Sequence, residues 1–397
     1  MNMGYIVNKN ILDLTKFVGA VSVSALILVS CGKKESASVS SDSIVVKIGN
    51  VAPVTGPNAH LGKDNENGAR LAIEEVNKQG LVINGKKITL EFLAEDDASD
   101  PKQGTQVAQK LVDQKVVAVV GHLNSGVSIP ASKIYSEAGI AQISPSSTNP
   151  EYTKQGFKTT FRLVGTDAQQ GPVLAKYTLE KLNGKNIAIV DDSTQYGKGL
   201  ADEFEKTIFA SGGKIVIHEA TNDKATDFKA ILTNIKSKKP DVILYGGMDA
   251  TGGPFARQAK ELGITAKIIG GDGICSPTLA QLAGDAAVNV ICSTVGVPKE
   301  SLSNGEAFLK NYQERFKSQV EIYSPMAYDA VMIIVDAMKR ANATDAAAIL
   351  AALPATNYAG LSGQIAFDAK GDLKESVITL NQYKDGKVVT LEVIKMQ

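Results

Sequence analysis

The sequence predicts an α/β protein made of two doubly wound parallel-sheet lobes. Its 397 residues exceed one domain of ordinary size. Short β-rich runs alternate with longer runs of helical apolar spacing, which is the βαβ rhythm of parallel sheets covered on both faces. This rhythm runs from residue 44 to residue 144 and restarts at residue 171, so the chain contains two such units.

The first unit opens with a strand and an amphipathic helix. In "IVVKIGNV" (44–51) the residues alternate as in a half-buried strand, and in "NGARLAIEEVNKQG" (67–80) Ala69, Ile73 and Val76 recur at helical spacing. The remaining elements predicted in this unit are a strand at 86–96, a helix at 104–114, a strand at 116–121, a helix at 128–138 and a strand at 139–144.

The second unit runs from a helix at 171–183 through alternating strands and helices to Gly273. Two long helical patterns follow at 303–319 and 324–341, and the chain ends in β-rich pieces. This tail is too long for either unit alone, which predicts lobes built from discontinuous segments.

Composition excludes several classes of protein. Hydrophobic residues make up 44% and charged residues 21% of the chain, as in ordinary globular proteins. The 42 basic and 42 acidic residues balance, so composition does not demand a surface that neutralises phosphates, and nucleic acid is not expected as a partner. His60, His122 and His218 are scattered without a metal-ligand spacing, and neither a metal nor another cofactor is expected.

The N-terminus resembles a bacterial lipoprotein signal. Two lysines precede Phe17–Val29, an uncharged run that is too short to span a bilayer but suits a secretion signal. The run ends in "LVSC", which makes Cys31 the lipidated first residue of the mature protein. We therefore expect a signal peptide at 1–30 and a flexible tether at 31–44. A short anchor helix that is never cleaved is the alternative.

Cysteine usage agrees with export. If lipid takes Cys31, then Cys275 and Cys292 remain as one pair in an oxidising compartment. A disulfide between them would close a loop of about seventeen residues, worth roughly 3 kcal/mol in the chain-entropy treatment. Two buried free thiols are the alternative.

Five loops follow predicted strands, where ligands bind in open α/β sheets. They read "GHLNSG", "SPSSTNP", "DDSTQYG", "GGMDATGG" and "GGDG". The second contains the hydroxyls of Ser144, Ser146, Ser147 and Thr148, and hydroxyls beside free amides at a helix N-terminus suit a carboxylate. A lone acid beside glycine suits an ammonium. One patch of each kind predicts a site for the head group of a free amino acid.

Other chemistries fit these loops less well. "GGMDATGG" matches neither phosphate-binding motif, and Asp249 would repel an anion. The motif G-x-S-x-G is absent from the sequence. His122 precedes Ser125 by three residues, but a histidine oriented by the loop backbone is the simpler interpretation. Asp96 and Asp97 point to opposite faces of a strand, which indicates turn and surface roles rather than a catalytic pair.

Several stretches, in this order, resemble the periplasmic leucine/isoleucine/valine-binding proteins, the solute-binding components of branched-chain amino-acid ABC transporters. They include "GPNAHLGKDNENGARLAI", "VVGHLNSGVSIPASKIY", "ISPSSTNPEYT", "VDDSTQYGKGLADEF", "YGGMDATGG" and "GGDGICSPTL". The resemblance implies a type I periplasmic binding protein, with two lobes that are joined by three crossover segments and close over the ligand. The lobes expected are 45–166 plus 296–372 and 167–295 plus 373–397.

The resemblance also implies a set of ligand contacts. Ser125 and Thr148 match carboxylate-binding hydroxyls, and Ser146 matches a position whose backbone touches the head group. Asp272 matches the acid that meets the ammonium, although the family commonly has glutamate there, and Tyr196 matches a cleft tyrosine. The residues expected around the ligand side chain are Leu61, Met248 and Tyr323.

We therefore expect a lipid-anchored, non-enzymatic solute-binding protein at the periplasm or cell surface. It would capture a hydrophobic, branched-chain amino acid as a monomer and deliver it to the permease of an ABC transporter. The alternatives are the same fold binding an amide, urea or an aromatic acid, a ligand sensor, and an enzyme. Asp272 discriminates among ligands, because a neutral or anionic ligand gives a buried carboxylate no partner.

Overall fold

The computed structural model describes residues 43 to 396. The predicted signal peptide, the lipidation site Cys31 and nearly all of the predicted tether lie outside these residues. Within them, two open sheets are flanked by helices, which confirms the α/β class and the parallel character of both sheets. Not one of the described helices combines the length and the apolar character needed to cross a bilayer.

Two sheets and a short hairpin form the framework. The strands in chain order are β1 (Ser43–Ala52), β2 (Leu81–Ile83), β3 (Lys86–Asp96), β4 (Ala118–Gly121), β5 (Ala141–Ser144), β6 (Thr160–Arg162), β7 (Ile187–Asp191), β8 (Ile215–Ala220), β9 (Val242–Gly246), β10 (Lys267–Gly270), β11 (Val290–Thr294), β12 (Tyr358–Ala359), β13 (Gln364–Ile365), β14 (Ser376–Lys384) and β15 (Lys387–Met396). The first sheet has the order β2-β3-β1-β4-β5-β6, in which β2 is antiparallel. The second has the order β15-β14-β11-β10-β9-β7-β8, in which β14 is antiparallel to both of its neighbours, β11 and β15.

Helices cover these sheets. In chain order they are α1 (Ala59–Gln79), α2 (Pro101–Asp113), α3 (Ser125–Glu137), α4 (Glu151–Lys154), α5 (Asp167–Glu180), α6 (Gln195–Ala210), α7 (Lys229–Ser237), α8 (Asp249–Glu261), α9 (Pro277–Ala283), α10 (Gly305–Phe316), α11 (Ser324–Ala341) and α12 (Ala346–Ala352). We call the first sheet with its helices the first lobe and the second sheet with its helices the second lobe.

The chain passes between the sheets three times: after β6, after β11 and before β14. The passage after β11 leads to α10 and α11, which pack on α1 of the first lobe. The C-terminal hairpin then completes the second sheet, so both lobes are built from discontinuous segments. The residue-level lobe boundaries drawn from the sequence stay a prediction.

Helix α1 begins at Ala59, about two turns before the apolar pattern that predicted it. The reason is that its first turns bury polar residues. Asp64 is buried, and its carboxylate accepts hydrogen bonds from four consecutive backbone N–H groups at 321–324 and from the Tyr312 hydroxyl. This contact fixes the segment that carries Tyr323 into the cleft between the lobes.

Arg162, at the end of β6, connects two of the three passages between the lobes. Its guanidinium is fully buried, and Nε donates a hydrogen bond of 2.6 Å to the Asp372 carboxylate. Asp372 lies just before β14. It also donates to the backbone carbonyls of Ser147 at 2.7 Å and Asn149 at 3.0 Å. One side chain therefore holds the hydroxyl-rich loop after β5 against the crossover.

Cys275 and Cys292 form a disulfide, so the predicted pair is confirmed. Cys275 follows the single turn of 3-10 helix that carries Asp272, and Cys292 lies in β11. The bond fixes the loop after β10 to the neighbouring strand of the same sheet.

Candidate functional site

A small cavity lies between the lobes, at the carboxyl ends of strands from both sheets. Its lining residues are Leu123, Asn124, Ser125, Ser146, Tyr196, Met248, Asp272 and Tyr323. A water-sized sphere can occupy about 10 Å³ of it, which is the room that one water needs. The lobes are therefore closed on each other, and an amino acid could enter only if they move apart.

Six of the eight residues expected at the ligand line this cavity, and two do not. Leu61 is fully buried in the hydrophobic core and is not one of the lining residues. Thr148 is also fully buried and is not one of the lining residues. Leu123 and Asn124 line the cavity without having been predicted, although they belong to the same "GHLNSG" loop as Ser125.

The hydroxyl-rich loop after β5 mainly supports its neighbour. The Ser144 hydroxyl donates to the His122 carbonyl at 2.9 Å, and the Ser146 and Ser147 hydroxyls reach the Leu123 carbonyl at 3.0 and 3.1 Å. A hydroxyl has one hydrogen, so a serine that donates to a carbonyl has none left for a carboxylate. The expectation that the whole run holds a carboxylate is wrong for these three hydroxyls. Only the Thr148 hydroxyl among the four has no partner.

The first-lobe wall of the cavity is the N-terminus of α3. Ser125 is the first residue of this helix, and Asn124 precedes it without capping it through its side chain. The first amides of a helix have no intrahelical partner and carry partial positive charge. The buried Ser125 hydroxyl lies 3.3 Å from the Asn149 amide, from which it accepts. This wall can therefore donate several hydrogen bonds to a carboxylate.

The second-lobe wall contains Asp272. Its two carboxylate oxygens accept hydrogen bonds from the Tyr196 hydroxyl at 3.1 Å and from the Tyr323 hydroxyl at 2.6 Å. The Tyr323 bond crosses from one lobe to the other. Burial raises the pKa of Asp272, whereas the hydrogen bonds from Tyr323 and Tyr196 and the nearby Gln170 side chain lower it, and the pKa is raised overall. A cation placed here would relieve the cost of burying the negative charge.

The first turn of α5 adds two buried polar residues that sequence reasoning missed. Both carboxyl oxygens of Asp167 and both amide atoms of Gln170 lack hydrogen-bond partners. Gly199 makes room for this turn, because an added Cβ there would lie 3.0 Å from Asp167 Oδ2. Burial raises the pKa of Asp167 to about 8. The available signal was an acid five residues after the last strand of the first lobe, where the chain first passes between the lobes.

A second charged contact crosses the cleft beside the cavity. His60 Nε2 on α1 lies 2.7 Å from Asp249 Oδ2 at the start of α8, and Ser276 donates to the same oxygen. Asp249 is fully buried, and the His60 side chain is 23% exposed. Burial alone lowers the pKa of His60, but the hydrogen bond and charge of Asp249 outweigh burial and raise it above 6.5. Asp249, the acid expected from the sequence to repel anions, is thus paired with His60 across the cleft.

His122 has a structural environment. It is fully buried, with Nδ1 2.9 Å from Asp97 and Nε2 3.1 Å from the Tyr135 hydroxyl. The expectation that the loop backbone orients His122 is wrong, because side chains do so. The expectation of a surface role for Asp97 is also wrong, because Asp97 is a buried partner of His122. Residues 43–396 contain no cluster of three or more histidine, cysteine or acidic side chains arranged to hold a metal.

Comparison with known proteins identifies the family. The profile described as periplasmic binding protein matches residues 45–387. The chain belongs to this family. Among its relatives, Leu/Ile/Val-binding protein homolog 1 of Brucella abortus is 39% identical over 342 residues, which are 86% of this chain and 91% of that protein.

Solved structures of periplasmic binding proteins show the same fold. The branched-chain amino acid transporter substrate binding protein LivJ from Streptococcus pneumoniae, in complex with isoleucine, has a TM-score of 0.82 and 32% identity and covers 89% of this chain and 100% of its own. A solute binding protein from R. palustris in complex with benzoate has a TM-score of 0.79 and covers 88% of this chain and 96% of its own. Its 22% identity shows the fold alone.

The resemblance to leucine/isoleucine/valine-binding proteins is thus confirmed for this periplasmic binding protein. Membership of the family implies an extracytoplasmic location. The relatives are solute-binding proteins of transporters rather than enzymes.

Proposed function

We propose that this protein binds a hydrophobic, branched-chain amino acid between its lobes and delivers it to the permease of an ABC transporter. The observation that supports this most is the pair of opposed walls on one cavity, the α3 N-terminus with Ser125 on one side and Asp272 on the other. A helix N-terminus favours a carboxylate, and a buried carboxylate requires a cationic partner. The head group of a free amino acid supplies both charges.

The remaining lining supports an apolar ligand side chain. Leu123 and Met248 are apolar, and Tyr196 and Tyr323 have their hydroxyls bonded to Asp272, which leaves the rings as walls. Methionine adapts its shape to irregular partners. Micromolar binding needs about −8 kcal/mol, within reach of a ligand with about nine heavy atoms at the ceiling of about −1.5 kcal/mol per atom.

An aromatic acid such as benzoate is the rival ligand. It would satisfy the α3 N-terminus but would bring no cation to Asp272, which would stay buried with only hydroxyl partners. This favours an amino acid over a purely anionic solute.

The cellular setting belongs to the same proposal. Cleavage after residue 30 would leave Cys31 lipidated, and the following polar residues would link the protein to the membrane surface. The protein would act as a monomer without catalysing a reaction. Substitution Cys31→Ser should move it from the membrane fraction to the soluble fraction, and membrane association that survives this change would contradict the anchor.

Calorimetric titration tests the ligand. Protein stripped by unfolding in guanidinium and refolding should bind leucine, isoleucine or valine at micromolar concentration or below, in a panel of the twenty amino acids with benzoate, urea and amides. Heat from benzoate or urea but from no amino acid would refute the proposal.

The variant Asp272→Asn keeps the size of the side chain and removes its charge. We expect leucine affinity to fall by about 2 kcal/mol or more, about thirtyfold, because the ammonium loses a buried charged partner. Asp329→Asn is the matched control, since Asp329 is equally buried but accepts hydrogen bonds from Leu361 and Ser362 away from the cavity. Unchanged leucine binding by Asp272→Asn would refute the assigned role of Asp272.

A further inference from the structure

The residue before α3 has the backbone of a helix cap, but its side chain does not cap the helix. Asn124 is extended, with φ of −78° and ψ of 136°, and asparagine is among the residues that most often cap a helix. A capping asparagine accepts a hydrogen bond through Oδ1 from the second or third amide of the helix. The Asn124 side chain makes no such bond to α3.

Ser99 binds the Asn124 side chain instead. The Ser99 hydroxyl donates to Asn124 Oδ1 at 2.9 Å and accepts from Asn58 Nδ2 at 3.1 Å. A hydroxyl that accepts from an amide still has its single hydrogen to donate, so these two bonds agree in direction. Oδ1 of Asn124, the atom that would cap α3, is therefore bonded away from the helix.

The loop that carries Ser99 is shaped for this contact. Ala98 and Ser99 both have a left-handed backbone, with φ of 49° and 60°, which is uncommon for residues other than glycine. The Asp97 carboxylate accepts from the Ser99 amide at 3.0 Å, and its other oxygen lies 2.9 Å from His122 Nδ1. His122 is two residues before Asn124, so the buried pair of Asp97 and His122 ties the two loops together and sets Ser99 beside Asn124.

The side chain of Asn124 and a ligand carboxylate would use the same amides. The Val127 and Ser128 amides donate to the Asn124 carbonyl at 3.0 and 2.9 Å, and none of the described hydrogen bonds uses the amide of Ser125 or Gly126. Unpaired amides in the first turn of a helix attract an anion. Asn124 and Ser125 both line the cavity between the lobes, so a carboxylate bound there would meet these amides.

We propose that Ser99 is a positioning residue whose hydrogen bond holds the Asn124 side chain away from the first amides of α3 and so leaves them available to the ligand carboxylate. This rests on the proposed function, because it takes the ligand to carry a carboxylate. In the absence of the Ser99 hydroxyl, Asn124 Oδ1 turns to the Gly126 amide, and the ligand must then displace it.

Leucine titrations of wild type and Ser99→Ala give the first test. A cap formed by Asn124 competes with leucine for one amide, and the strength of such caps corresponds to about fivefold weaker binding. Ser132→Ala is the matched control, because Ser132 lies on α3 itself but donates to the Ile129 carbonyl at 2.6 Å and does not line the cavity. The control should bind leucine within about twofold of wild type.

The double variant of Ser99→Ala and Asn124→Ala separates this role from a general loosening of the loop. Removing the competing side chain should restore affinity, so the double variant should bind leucine at least about threefold more tightly than Ser99→Ala. A loop that was only loosened would bind no better after a second truncation. Hydrogen exchange of the Gly126 amide without leucine should slow in Ser99→Ala and return to the wild-type rate in the double variant.

The outcomes distinguish this inference from the proposed function. A wild type that binds no amino acid refutes the proposed function and the inference with it. A wild type that binds leucine refutes the inference alone if Ser99→Ala binds equally well, or if the double variant binds no more tightly than Ser99→Ala.

Discussion

The contact between His60 and Asp249 is predicted to stabilise the closed form and therefore ligand binding. The substitution His60→Leu removes the donor and leaves Asp249, which is fully buried, with only Ser276 on that oxygen. A hydrogen bond to a charged group contributes about 1.5–3 kcal/mol. His60 keeps 23% of its side chain exposed, so water screens the pair and we expect the lower end, about 1.5 kcal/mol, or about tenfold weaker leucine binding.

The same contact predicts a pH dependence with a defined sign. The pKa of His60 is raised in the closed form by Asp249, with smaller effects of Glu321 and Asp64, whereas in an open form the imidazole loses Asp249. The contribution of His60 to closure is therefore complete below its ordinary pKa of about 6.5 and is lost as the pH rises through the closed-form pKa. Binding should take up a fraction of a proton in that window.

Calorimetry in two buffers with different ionisation enthalpies measures this proton uptake directly. Wild type should take up protons at pH 7, and His60→Gln, which can still donate to Asp249, should take up fewer and lose less affinity than His60→Leu. His218→Gln is the matched control, because His218 pairs with Asp191 at 2.9 Å within the second lobe and does not cross the cleft. If His60→Leu binds leucine as tightly as wild type from pH 6 to pH 8, the contact does not contribute to closure.

Two further predictions concern the crossover and the disulfide. Arg162→Met should lower the free energy of unfolding by about 3–5 kcal/mol in urea titrations, because it leaves the Ser147 and Asn149 carbonyls unpaired and the Asp372 charge unbalanced. The control Arg257→Met, at an exposed position, should change the free energy of unfolding by less than about 0.5 kcal/mol. Equal effects of the two substitutions would contradict the structural role of Arg162. Replacing Cys275 and Cys292 by serine should lower the free energy of unfolding by about 3 kcal/mol. A reductant should remove the difference in stability between this variant and wild type. An unchanged unfolding midpoint of the variant without reductant would contradict the prediction.

The fold was largely predictable because its signals are local. Apolar periodicity separated strands from helices, and the position of loops after parallel strands pointed to Ser125 and Asp272, which line one cavity. Periodicity failed at the start of α1, where Asp64 is buried to hold the backbone before α11. A buried polar residue reads as a surface residue in a pattern of apolar spacing.

The partners of the polar residues were not predictable, because they are set by contacts far apart in the sequence. The run of hydroxyls after β5 suggested a carboxylate site, yet three of them hold the carbonyls of His122 and Leu123 on the neighbouring loop. The pairing of His60 with Asp249 depends on how the lobes meet, which no stretch of sequence encodes by itself.

The polarity of the surfaces that meet in the cleft suits a clamp that opens. Hydrogen bonds cross it between Tyr323 and Asp272, between His60 and Asp249, and between Asn149 and Gln195. Water can replace each of these bonds when the lobes separate, so opening costs less than exposing an apolar interface of the same size would.

In the closed form, in contrast, the Thr148 hydroxyl is buried without a hydrogen-bond partner, at a cost of about 1–3 kcal/mol for a polar group of this kind. A ligand carboxylate that accepts from Thr148 removes this cost, and an ammonium beside Asp272 removes the larger cost of a buried negative charge. A ligand shifts the equilibrium between the open and closed forms only by its difference in affinity for them. An amino acid would make these two contacts together only when the lobes are shut, and this difference would allow it to drive closure.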